Sequence, residues 1–303
     1  KNKIFKKNVI QDGNLISFYV DDNVTKKVTD FFNEAPFPHY EINDDKSSIN
    51  LKGDKNLLAK SFKNYVGLNK DVLEVGCGTG QLSIYFSIGT NNRVYALDPT
   101  MASINLGRNF AKINNINNVK FVNTDIFNDV FNDEVFDFIW TNGVLHHTKN
   151  PCLAFNIISK SLKKNGYILV GLYNRFGRIR TIFRQILYKI FGRSVVMFLD
   201  PTLRNLKKNN YLQINSWIRD QYEHPVESLH TLDEVLNWFK KNNIDFISSI
   251  PSCSFDNYGE TNLFKKTSKG NFFTRLISQI FMIFNNLGTD GGLFIVIGKK
   301  NEK

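Results

Sequence analysis

Between residues 57 and 172 short apolar runs alternate with segments of helical period, which predicts βαβ units around a parallel sheet. Val72–Val75, Arg93–Leu97, Val119–Val122, Val135–Trp140 and Tyr167–Leu172 read as strands buried on both faces. Leu58, Ser61, Phe62 and Tyr65 share one face of a first helix, and Pro151 suits the first turn of another, behind a cap at Asn150. The alternation stops after Leu172. It resumes at Thr231-Leu-Asp-Glu234, a capping box opening a helix with Leu232, Val235, Leu236 and Phe239 on one face. Ile244–Ser249 and Gly292–Gly298 read as the last two strands, and the chain carries no internal repeat.

The turn after the first strand carries the first chemistry. In Val72-Leu-Glu-Val-Gly-Cys-Gly-Thr-Gly80 an acidic residue ends a strand and three glycines follow, where bare backbone can approach a ligand. A dinucleotide fingerprint starting at Gly76 and Gly78 needs its third glycine at position 81, which is Gln81, so the spacing favours an adenosyl ligand over a pyrophosphate. Asp98, before Pro99 at the end of the second strand, suits the ribose hydroxyls; its alternative is a turn or helix-cap carboxylate. Asp125, just past the third strand, suits the adenine amino group, with Ile126 against the ring.

Glu74-Val-Gly-Cys-Gly-Thr-Gly80, Asp98, Asp125, Phe136-Asp-Phe-Ile-Trp-Thr-Asn-Gly-Val-Leu-His-His147 and Leu162-Lys-Lys-Asn-Gly-Tyr-Ile-Leu-Val170 follow one another in the order of a known family. In these motifs the chain resembles the class I S-adenosylmethionine-dependent methyltransferases, across most of residues 55–175 and again at 231–250 and 290–300. The resemblance implies a Rossmann-like, doubly wound sheet of seven strands with the last antiparallel. It implies S-adenosylmethionine as methyl donor and S-adenosylhomocysteine as product. It also implies a binding set of Glu74, Gly76, Cys77, Gly78, Gly80, Asp98, Pro99, Asp125, Ile126 and Asn142. The paired histidines read first as packing residues, with His146 kept as a candidate on the acceptor side.

The resulting organisation is an N-terminal arm or cap at 1–55, a cofactor-binding core at 56–174 and a helical insertion over the substrate at 175–230. The core continues at 231–250, a second helical insertion occupies 251–290, and the last strand and tail occupy 291–303. Residues 178–191 space Ile179, Ile182, Phe183, Ile186, Leu187, Ile190 and Phe191 as one helical stripe. Phe272, Phe273, Leu276, Ile277, Ile280, Phe281 and Phe284 form a second. The first expectation is that the two stripes pack together as a lid; the alternatives are a membrane-surface or lipid-substrate contact and a homodimer interface.

Charge changes the picture in one place. The formal net charge is +11, and Arg175, Arg178, Arg180, Arg184, Lys189, Arg193, Arg204, Lys207 and Lys208 face only Asp200 between residues 175 and 208. This segment lacks the aromatic interleaving of a nucleic-acid platform, so nucleic acid is not the expected partner. Cys77, Cys152 and Cys253 are too few and too scattered for a disulfide framework or a cysteine zinc site, and no metal is expected. With no signal-like start and no apolar run of about 20 residues, the expected location is cytoplasmic, with contact at a membrane surface as an extension.

For the methyl acceptor the candidates lie in the additions. Tyr173 and Asn174 follow the fifth strand directly. Tyr222, His224, Glu227 and His230 stand in a titratable stretch before the late helix, with a histidine as base, although capping and backbone bonding explain the same residues. His39 and Tyr40 end a stiff aromatic segment suited to closing over a ligand. The expectation is methyl transfer to an O, N or S nucleophile of a small molecule. A lipid or quinone, RNA or protein acceptor stands as the alternative, and a cofactor-binding regulator as the non-enzymatic one.

Overall fold

The computed structural model describes residues 4–6, 10–18, 23–206, 211–254, 263–284 and 291–302; Lys207 and Lys208 of the basic segment lie outside the described residues. Among those residues nine strands form one sheet: β1 (Ile10–Asp12), β2 (Leu15–Ser17), β3 (Asp71–Val75), β4 (Arg93–Asp98), β5 (Val119–Asn123), β6 (Phe136–Asn142), β7 (Leu162–Tyr173), β8 (Ile244–Ile250) and β9 (Leu293–Lys300). Their spatial order is β1-β2-β5-β4-β3-β6-β7-β9-β8.

β3 pairs in parallel with β4 (Val72 opposite Val94) and with β6 (Val72 opposite Phe138). β9 runs antiparallel to both β7 and β8. The seven predicted strands are all present, the last one antiparallel. The other two are a correction: the N-terminal arm contributes a hairpin, and β2 pairs in parallel with β5 (Ile16 opposite Val122). A local signal existed in Asp12-Gly13-Asn14, where Gly13 takes φ +60° and Ile16 beyond it is fully buried. The strands are only three residues long, below the run length that marks a strand in a sequence.

Every residue of β3 is buried, because helices cover both faces of the sheet. Leu73 and Val75 face a layer with Phe155 and Phe239. Val72 faces the opposite layer, with Phe62, Phe86 and Trp140. The predicted caps hold. Asn150 accepts from the Leu153 amide at 3.0 Å, with Pro151 opening the helix Pro151–Lys160. Thr231 and Glu234 form a reciprocal box before the helix Leu232–Lys241.

Helices Ile179–Phe191, Arg193–Leu199, Pro201–Asn205 and Tyr211–Ile218 follow β7 and share a small apolar cluster with Val196, Leu203, Ile214 and Tyr222. The buried Asp200 carboxylate ties it together, accepting from Tyr222 Oη at 2.6 Å and Trp217 Nε1 at 3.0 Å. The two apolar stripes do not pack together as a lid: both the Ile179–Phe191 helix and the Phe272–Phe281 helix turn most of them outward. Among the described residues no helix is long and apolar enough to cross a membrane.

Thr231→Ala removes one half of the capping box and is expected to lower unfolding free energy by about 1 kcal/mol in urea titrations. Cofactor affinity should stay unchanged, since Thr231 stands off the cavity described next.

Candidate active site

The carboxyl ends of β3 to β7 converge, and a cavity of about 420 Å³ opens there. Gly76 and Gly78 adopt φ of +70° and +53°. A Cβ on Gly78 would stand 2.1 Å from the Phe37 carbonyl oxygen, and one on Gly76 would stand 2.3 Å from the Val144 side chain. Glycine is therefore required here by both conformation and space. Gly80 sits one turn on, against Phe121, and does not line the cavity, which corrects its assignment. Glu74, Gly76, Cys77, Gly78, Asp98, Pro99, Asp125, Ile126 and Asn142 do line it.

Each polar group in this half has a defined state. The Asp98 carboxylate accepts the Gly78 and Thr100 amides, both at 2.8 Å, one on each oxygen. Each oxygen keeps a lone pair for a hydroxyl. Burial raises the Asp98 pKa against these two bonds. Asp125 caps the turn Ile126–Asn128, accepting the Phe127 amide at 2.9 Å, and also accepts the hydroxyl of Thr25 from the helix Asn23–Glu34. Burial pushes Glu74 up to about 8, with the Ser83 hydroxyl bonded to it. Burial, then the neighbouring Asp98 and Glu74, push the Cys77 thiol well above its ordinary range, so it is a neutral wall rather than a nucleophile. Asn142 Oδ1 is buried without a hydrogen-bond partner among the described residues. Three buried carboxyls, an unused amide oxygen and a bare-backbone turn fit a cationic nucleoside such as S-adenosylmethionine: Asp98 would hold ribose, Asp125 and Ile126 adenine, Glu74 and Asn142 the amino-acid end.

The sequence profile described as a methyltransferase domain matches residues 68–243, more than half of the chain. The chain belongs to the class I S-adenosylmethionine-dependent methyltransferases. A mitochondrial ubiquinone biosynthesis O-methyltransferase of Dictyostelium discoideum is 31% identical over 118 residues, 36% of this chain and 36% of that protein. The chain spans about a third of the length of the first curated relatives it matches. Among solved structures, geranyl diphosphate C-methyltransferase of Streptomyces coelicolor A3(2), in complex with Mg2+, geranyl diphosphate and S-adenosyl-L-homocysteine, superposes with TM-score 0.53 at 13% identity. That match covers 93% of this chain and 100% of the other. PKMT2 of Rickettsia typhi gives TM-score 0.56 at 18% identity over 82% of this chain and 54% of that one. At such identities the likeness is one of fold.

The other half of the methyltransferase cavity is built around Tyr173, at the end of β7. Its ring lies between the Arg178 guanidinium at 3.7 Å and the His146 ring at 4.1 Å. Gln221 Nε2 donates to the Tyr173 hydroxyl at 3.0 Å and to Asp220 at 2.7 Å. Gln221 Oε1 accepts from Arg178 Nη1 at 2.5 Å. A wide π turn at Arg219–Glu223 aims Asp220 and Gln221 into the cavity and sends Tyr222 the other way, onto Asp200. His147 also lines the cavity, with Nδ1 2.6 Å from the Val226 carbonyl oxygen. A carbonyl only accepts, so Nδ1 carries the proton and Nε2 presents a lone pair. Burial lowers the His147 pKa to about 4, so its ring is neutral at ordinary pH.

Several predicted acceptor-side residues stand elsewhere, each for a structural reason. His224 lies behind His147, ring centroids 3.6 Å apart; burial first and His147 second lower it to about 3. His230 is bonded to Ser228 and Glu234 and leans on Trp238. Asn174 caps the amides of Phe176 and Gly177 and donates to Gln279. Glu227 is committed to Arg178. His146 is fully buried beneath Tyr173, its ring nitrogens without partners among the described residues. Tyr40 bonds the Thr79 carbonyl and stacks on Phe110, and His39 offers its backbone oxygen to Gln81; the aromatic segment reaches the cavity instead through Phe32, Phe37 and Pro38. Trp217 and Arg178 were not expected. Neither carries a local motif, and their positions come from the chain returning after β7.

Two outcomes test the cofactor half. Asp98→Ala should weaken S-adenosylmethionine binding at least about tenfold by calorimetry, since charged hydrogen bonds to both ribose hydroxyls are lost. Glu74 holds its proton in the folded state between its ordinary value of 4.5 and about 8, where the unfolded chain has released it. Its contribution to stability is therefore full below 4.5 and is lost as pH rises through 8. Thermal melts of the cofactor-free protein should show that loss, and Glu74→Gln should flatten it.

Proposed function

We propose that this methyltransferase methylates an O, N or S nucleophile of a small molecule seated at the Tyr173 end of the cavity, with His147 as the base. One observation carries the reading: the cavity holding the cofactor residues continues without a break to His147, Tyr173, Asp220 and Gln221. When bound, S-adenosylmethionine supplies an electrophilic methyl carbon. In-line displacement then needs an aligned acceptor and a dry site.

The chain's residues meet those needs in order. Phe32, Phe37 and Trp217 supply apolar wall around the cavity and exclude water. Because Gln221 donates to the Tyr173 oxygen, the Tyr173 proton is free to be donated to the acceptor. Asp220, half-buried and bonded by Gln221, accepts from a donor on the acceptor; desolvation raises its own pKa. His147, fixed by Val226, takes the proton that an alcohol, amine or thiol loses as its new bond to carbon forms.

His147→Gln is expected to lower kcat by about 10²–10⁴-fold with S-adenosylmethionine affinity retained, measured as S-adenosylhomocysteine release against a panel of phenols, amines and thiols. Turnover by the variant at the wild-type rate would remove His147 from the mechanism. With the ring neutral above about 4, wild-type kcat should show no loss from this group between pH 7 and 5, and should fall as pH drops through 4.

A further inference from the structure

Two helices are amphipathic in the reverse sense to a helix packed on a protein core. In Ile179–Phe191 the buried or half-buried positions, continuing from Arg178, include Thr181, Gln185 and Tyr188 beside Ile182 and Leu187. Gln185 bonds the Gln221 carbonyl at 2.8 Å and Tyr188 bonds Glu223. The outward positions are apolar: Phe183 is 59% exposed, Ile186 51% and Ile190 65%. Phe272–Phe281 repeats the arrangement. Arg275 faces in to Asp233 at 2.6 Å, Ser278 to the Ser252 carbonyl at 2.7 Å, and Gln279 to Asn174 at 2.9 Å. Phe273 (70% exposed) and Ile277 (44%) on the helix, and Phe284 (71%) just beyond it, face out. The end of the second helix comes close to the start of the first where Met282, just past it, lies near Gly177, the residue before Arg178.

Side chains of this size are placed outward at helical spacing when the medium outside is apolar. The choice between a second copy of the chain and a bilayer is made by charge. Residues 175–206 and 263–284 hold eleven basic residues and one acidic residue, Asp200, which is itself buried. Arg175, Arg180, Lys189 and Arg193 are exposed around the first apolar face, and Lys266 and Lys269 precede the second. Pairing two such faces would bring cationic rims together, whereas anionic headgroups would neutralise them.

We propose that these two helices form a docking surface for an anionic lipid bilayer, their apolar faces in the acyl boundary and their arginines and lysines among the headgroups. The inward face of the first helix is continuous with Arg178, which lies on Tyr173, so docking sets the Tyr173 end of the cavity beside the membrane. The surface itself does not depend on which nucleophile is methylated.

Flotation of the full chain with phosphatidylcholine vesicles, with and without phosphatidylglycerol, tests this. Binding is expected to phosphatidylglycerol-containing vesicles at low salt and to weaken at high salt. Phe183→Asp combined with Phe273→Asp should reduce partitioning at least about tenfold, because exposed apolar area is removed without disturbing an inward contact. Circular dichroism and S-adenosylmethionine calorimetry on the variant establish that it is folded. No flotation of the wild type, or flotation unchanged by the folded variant, overturns the proposal. So does a wild-type dimer in sedimentation velocity that the variant converts to monomer.

Discussion

A guanidinium buried from all solvent must find an acceptor for each N–H or lose several kcal/mol, and Arg178 is such a group. Its Nε and Nη2 engage the Glu227 carboxylate at 3.0 and 2.6 Å, and its Nη1 engages Gln221 and the Gly291 carbonyl. Its flat face covers Tyr173. Those partners come from the end of β7, the wide turn at 219–223, the loop before the Leu232 helix and the segment entering β9. Deleting one partner would leave a buried charge unsatisfied at a cost of about 3–5 kcal/mol, so four stretches distant in sequence are held in register by one side chain. The Tyr173 end of the cavity, the aim of Gln221 and the polar inner face of the following helix all depend on it.

The two ends of the cavity are consequently built in different ways. Around Glu74, Asp98 and Asp125 the groups sit at or just beyond consecutive strand ends and are oriented by nearby backbone: Gly78 and Thr100 hold Asp98, and Phe127 holds Asp125. Around Tyr173 and His147 the groups are oriented by side chains and carbonyls far away in sequence, such as Gln221 and Val226. Burial has opposite uses at the two ends. It raises Glu74 to about 8 and so favours its protonated form, and it lowers His147 to about 4 and so keeps that ring neutral.

The first helix beyond β7 is tied to the Arg178 network through Gln221, and the Phe272–Phe281 helix is tied to Asp233 through Arg275. Inward side chains on both bond Gln221, Glu223 and Asp233, while most of the apolar positions stay exposed. The local apolar cluster of Val196, Leu203, Ile214 and Tyr222 is small and anchored by a carboxylate rather than by an extensive core.

The doubly wound core was legible because its cause is local. Five runs of buried residues, a capping box at Thr231 and a glycine turn after β3 each follow from steric and hydrogen-bonding rules within a few residues. Asp98 stands at the end of β4 and Asp125 just past the end of β5, so their place in the cavity could be named in advance. The hairpin at residues 10–17 escaped because its strands are short and gain their stability from pairing with β5. The direction of the two amphipathic helices, the distance of Tyr222 and His230 from the cavity, and the place of His147 within it were not in any local pattern. A periodic stripe states which residues share a face, but only the folded chain decides what that face meets. Here polar side chains turn inward on both helices, Gln185 to the Gln221 carbonyl and Arg275 to Asp233, and most of the apolar side stays outside.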